Sequence, residues 1–105
     1  MEKPNTNYID ELAENDADFK TKIIEILKSE LPQEIEIYNN FISSNDLINA
    51  SLCVHKLKHK ISILGLEKSY YIAEDFEKNL RKHNADLHSD FNNILTVMMN
   101  FVNQL

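Results

Sequence analysis

Turn-forming residues are nearly missing from this chain, which has one glycine and two prolines in 105 residues. A β-sandwich or barrel needs a turn roughly every ten residues, so such folds are excluded and long helices with few connections remain. Cysteine is equally scarce. Cys53 stands alone, which rules out a disulfide framework within the chain and fits a reducing compartment. No apolar run approaches the roughly 20 residues of a membrane span, and Met1-Glu2-Lys3-Pro4-Asn5 lacks the apolar centre of a signal peptide. A cytoplasmic location with no membrane partner is expected. A glycine-rich loop for a nucleotide is also lacking, and so is a basic surplus: the net charge is −6, which argues against a nucleic-acid partner.

What is present suits one globular domain spanning residues 1–105. The chain is 43% hydrophobic and 27% charged, long enough for one core and too short for two. The charge is uneven. Residues 51–60 hold three lysines and no acid, a local +3 within a chain of −6, which leaves −9 elsewhere.

Taken in order, residues 1–7 read as a loose lead-in, and Tyr8 to Ala13 as a short helix. Asn15 and Asp16 offer N-cap oxygens for a second helix. Its apolar stripe runs Phe19, Ile23, Ile26, Leu27, Leu31, Ile35, Tyr38, Phe41 and Ile42. Pro32 removes a donor inside this run, so one bent helix is expected. Ser43-Ser44-Asn45-Asp46 is rich in capping side chains. From about Asp46 to Leu64 a central helix follows, with Leu47, Ala50, Val54, Leu57, Ile61 and Leu64 at alternating steps of three and four, the stripe of a packed helix. It stops at Gly65, suited to the left-handed C-terminal position. A fourth helix spans about Leu66 to Lys82, with Leu66, Ser69, Ala73, Phe76 and Leu80 inward and Glu67, Lys68, Glu74, Glu77 and Lys78 outward. After His83-Asn84-Ala85-Asp86, a last helix runs from about Leu87 to Asn103 on Leu87, Phe91, Ile94, Met98, Phe101 and Leu105. The expected fold is all-α: an antiparallel up-down four-helix bundle with a short extra N-terminal helix.

His55 sits one position past Val54, about 100° round the helix. It therefore faces solvent with Ser51, Leu52, Lys58, His59 and Ser62. An exposed imidazole is a good nucleophile toward phosphorus near neutral pH, and the phosphoramidate it forms keeps a high transfer potential. Lys58, three residues on, is placed to neutralise phosphoryl oxygens. Exposed Ile48 and Leu52 offer apolar contacts to a docked protein. Lys56 and Lys60 lie off this face and are expected to steer an acidic partner.

The string His55-x-Leu57-Lys58, with Leu64-Gly65 nine and ten positions after the histidine, resembles the signature of histidine phosphotransfer (HPt) domains, the phosphorelay modules of two-component signalling. The resemblance covers nearly the whole chain. It implies that His55 accepts a phosphoryl group from an aspartyl phosphate on a response-regulator receiver domain and passes it to another. It also implies that Lys58 helps hold that group. Receivers and a hybrid sensor histidine kinase are the partners implied. The chain would work as a monomer without a cofactor, with no kinase or phosphatase activity of its own. Its docking surface would comprise Ile48, Ser51, Leu52, His59 and Ser62. The family usually has a small residue four after the histidine, where this chain has His59. That ring could crowd docking, add a hydrogen bond to the phosphoryl group or narrow partner choice.

Other uses of the same residues are weaker. A bundle that binds receiver or kinase partners without being phosphorylated is the alternative, with His59 blocking transfer. His55 and His59 have the spacing of helical zinc ligands, but three flanking lysines and no nearby acid disfavour a metal. His83 and His88 read as solvated, Cys53 as a small packing residue, and Phe19, Phe76, Phe91 and Phe101 as core. The acidic runs at residues 34–36 and 74–77 read as solvated faces.

Overall fold

The computed structural model describes residues 2–105. It holds five helices: α1 Asn7–Ala13, α2 Ala17–Ser43, α3 Leu47–Ile63, α4 Glu67–Arg81 and α5 His88–Val102. Among the described residues there is no strand. Helices α2 to α5 close a ring of pairwise contacts, α3 against α4 being the most extensive, and α1 packs on α2. Among the described residues no helix is long and apolar enough to cross a membrane.

Local chemistry accounts for the starts of two helices. The Asp16 carboxylate accepts from the Phe19 N–H at 3.1 Å and starts α2. Asp46 does the same for α3 through Asn49, each satisfying one donor that the first turn leaves free. Glu14 and Asn15 take positive φ between α1 and α2. Helix α2 continues unbroken through Pro32.

All six residues of the α3 stripe are buried, from Leu47 to Leu64. On α4 and α5 the inward residues Ala73, Phe76, Leu80, Phe91, Ile94 and Met98 complete the core. Tyr38 of α2 is fully buried, edge-on to Phe76 and Phe91. Its hydroxyl lies 2.7 Å from His88 Nδ1, so His88 is a half-buried partner of the core tyrosine and not a solvated ring. Phe19 and Ile26 are corrections of the opposite kind, exposed at 45% and 54%. At about 1.5 Å per residue, the 27 residues of α2 reach roughly 40 Å and the 17 of α3 only about 25 Å. The first turn of α2, with Phe19, therefore outruns the other long helices, whereas Ile26 is exposed because it lies about 100° off the buried line of Leu27 and Leu31.

The N-terminal lead-in is fastened, not loose. No side chain of α4's own N-cap, Leu66, closes the helix start. Glu2 does so instead, its carboxylate accepting from the backbone N–H of Lys68 at 3.1 Å and of Ser69 at 2.6 Å. Burial pushes this carboxyl up, but the two N–H groups outweigh it and hold it below the usual carboxylate range. Asn5 N–H donates to the Leu64 carbonyl at 2.9 Å, so residues 2–6 strap the α3–α4 turn. Gly65 has φ +75°, and a Cβ there would stand 2.6 Å from Asn5 Nδ2. Gly65→Ala should therefore lower stability in urea by about 1–2 kcal/mol, and by less when Asn5 is also Ala. An equal loss in both backgrounds would show that the strap exerts no pressure on this turn.

Candidate functional site

The α3–α4 seam carries a cluster of charge that reaches from core to surface around a histidine. His55 lies near the middle of α3, and its side chain is 52% exposed. Facing it from α4 is Glu77, which is only 4% exposed. It was expected on a solvated outer face. Glu77 follows Ala73 by four residues and precedes Leu80 by three, so it lies on the inward stripe of α4, and the tight α3–α4 packing covers it.

One carboxylate gathers three donors. Glu77 Oε1 lies 3.3 Å from His55 Nδ1 and 3.1 Å from Lys58 Nζ, while Oε2 pairs with the Arg81 guanidinium. Burial pushes the Glu77 carboxyl up, but the hydrogen bond and charge of Lys58, the His55 ring and Arg81 outweigh it. The group is held below the usual carboxylate range. An ionised carboxylate only accepts hydrogen bonds, so the nitrogen facing it carries the ring proton. The Nδ1 contact is long for a hydrogen bond. Its consequence is a selected tautomer: Nδ1–H toward Glu77, and Nε2 with its lone pair on the other side of a half-exposed ring.

Lys58 is not where the sequence placed it. It is 9% exposed, held between Glu77 and the face of Tyr70, whose ring centroid is 5.4 Å from Nζ. A buried carboxylate on the neighbouring helix draws the ammonium inward, and the alkyl stem packs along the way. The exposed cation of the cluster is instead Arg81, whose side chain is 53% exposed. Lys60 is likewise engaged within the protein, 3.0 Å from Glu34 and 3.3 Å from Glu30. It is not free for steering, and Glu34 is not simply solvated. Lys56 remains exposed.

The outward face is otherwise close to expectation. Ile48 and Leu52 are exposed at 46% and 55%, two turns and one turn before His55. Ser51 is a correction: it is buried, its hydroxyl donating to the Ile48 carbonyl at 2.6 Å, so it offers nothing to a partner. His59 is exposed and stands edge-to-face with His55, the ring centroids 5.2 Å apart. With Ser62, Gly65, Glu67, Tyr70 and Tyr71 it lines an open groove of about 430 Å³. Among the described residues no group of three or more His, Cys, Asp or Glu side chains converges as metal ligands would.

Sequence reasoning missed Glu77 and Arg81. The signal was there: an acid in phase with Ala73 and Leu80 is an inward charge that needs a partner, and Arg81 four residues later is the spacing of a helical ion pair. The chain matches no protein-family model, no curated protein and no solved structure.

Proposed function

We propose that this protein is a histidine phosphotransfer domain, in which α2 to α5 form an antiparallel up-down bundle and α1 is the short extra helix. It works in the cytoplasm as a monomer that relays phosphoryl groups between receiver domains, without kinase or phosphatase activity of its own. The observation that carries this reading is the half-exposed His55 ring with Nδ1 turned to a buried carboxylate and Nε2 free.

The transfer follows from that geometry. His55 Nε2 attacks the phosphorus of a receiver's aspartyl phosphate, the acyl O–P bond breaks, and the aspartate carboxylate leaves with the electron pair. The ring becomes a phosphoimidazolium that still carries its Nδ1 proton, and the Glu77 carboxylate faces the positive charge that develops. The reverse attack by a second receiver's aspartate returns the ring to neutrality. Glu77, Lys58 and Arg81 together carry +1, so an incoming phosphoryl group meets an attractive field. Exposed Ile48 and Leu52 supply apolar contact around the acceptor.

Incubation with a phosphorylated receiver should place an acid-labile, base-stable phosphate on His55. Receiver binding with no label under any condition would instead favour a docking module that His59 obstructs.

The two cations should separate by experiment. Arg81 adds positive charge to the field that an incoming phosphoryl group meets, and with its guanidinium half-exposed its pairing with Glu77 adds little stability. Arg81→Gln should slow transfer about tenfold with a stability change of about 0.5 kcal/mol. Lys58→Met removes a buried partner of Glu77 and should cost about 3 kcal/mol in urea unfolding. Equal stability losses would count against these separate roles.

A further inference from the structure

Resting on the reading of His55 as phosphoryl acceptor, the geometry points to His59 as a direct hydrogen-bond donor to the phosphoryl group carried on His55 Nε2. Both Lys58 and Arg81 are tethered to Glu77, on the Nδ1 side of the acceptor ring, whereas a phosphoryl group on Nε2 stands on the other side. His59 is the neighbour left over. Its ring is exposed and lies 5.2 Å from the His55 ring, centroid to centroid, at 87°. The hydrogen bonds made by histidine rings in the described residues belong to His55 and His88, so both His59 nitrogens are unpartnered. Residues four apart on a helix are neighbours on its surface. A free N–H there is within range of a group that extends outward from the adjoining ring.

The structure offers no other role for this nitrogen pair. His59 neither caps a helix nor pairs with an acid, and it borders a groove of about 430 Å³ that leaves its ring room to turn. A hydrogen bond to a developing phosphoryl dianion strengthens as charge builds in the transition state, so it accelerates transfer.

The test uses the full chain and phosphoramidate, a small donor from which His55 Nε2 displaces ammonia, so that no docking partner is involved. Two variants separate the hydrogen bond from ring contact: His59→Phe keeps an edge-to-face ring without N–H, and His59→Gln keeps an N–H without the ring. Phosphorus NMR locates the label and circular dichroism checks the fold. His59→Phe should take up phosphate about tenfold more slowly, and His59→Gln should stay within about threefold of the wild-type rate. A wild-type or faster rate for His59→Phe, or a His59→Gln rate as slow as that of His59→Phe, overturns the assignment while His55 remains the acceptor. Wild-type protein that gains no phosphate on His55 overturns both this assignment and the relay on which it rests.

Discussion

His55→Gln will abolish phosphate labelling by a phosphorylated receiver while leaving helicity and the urea midpoint close to wild type. The expectation of a clean separation comes from how the ring is held. His55 is half-exposed and one residue off the buried stripe, so its removal opens no cavity. Glutamine is a good helix former and brings an amide N–H that can replace Nδ1–H toward Glu77. The buried carboxylate therefore keeps a donor, and the stability change should stay within about 1 kcal/mol. What glutamine cannot supply is a nucleophilic lone pair on a ring nitrogen. The other three histidines provide an internal control. His88 has both ring nitrogens engaged by Tyr38 and Asn92, His83 sits at the exposed end of α4, and His59 has no carboxylate to fix its tautomer. Label that persists in His55→Gln, mapped to any of these by mass spectrometry, would move the acceptor and undo the relay assignment.

Along a single helix, the sequence was easy to interpret. Steps of three and four fix angles, so the stripe from Leu47 to Leu64 and the outward turn of His55 followed directly, and Gly65 took the left-handed conformation its place demanded. What could not be seen was anything decided between helices. Lys58 and Ser51 each sit one residue past a buried position, at the edge of the stripe, where burial depends on what the neighbour offers. Glu77 draws the lysine in, and the serine hydroxyl satisfies itself on the Ile48 carbonyl. Phe19 keeps the period of the α2 stripe, but periodicity does not tell where α3 and α5 end, and Ile26 sits one residue off the buried line of Leu27 and Leu31. Glu2 is the extreme case, a cap supplied from 66 residues away. The outward turn of His55 was thus legible from its own helix, whereas the carboxylate that faces its Nδ1 required the α3–α4 pairing.

Glu77 is where structure and chemistry can be pulled apart. Glu77→Gln should lower stability by about 3 kcal/mol near pH 7, because it leaves the buried Lys58 ammonium without its counter-charge. It should also slow labelling of His55, on the order of 100-fold, because an amide no longer demands Nδ1–H and the ring can turn or take the other tautomer. The stability gap must depend on pH in one direction. The folded-state pKa of Glu77 lies below the ordinary glutamate value of about 4.3, so its contribution is complete above that value. It fades as pH falls through the lower native one, and wild type and Glu77→Gln should converge in stability only once the pH has dropped below that native value. A double variant, Lys58→Met with Glu77→Leu, replaces the buried pair by apolar side chains and should recover most of the lost stability. It should not recover transfer, since nothing then faces Nδ1 or the positive charge that the ring acquires. A double variant that regained both would reduce Glu77 to a packing residue. One that regained stability alone would show that this buried carboxylate serves the imidazole beside it.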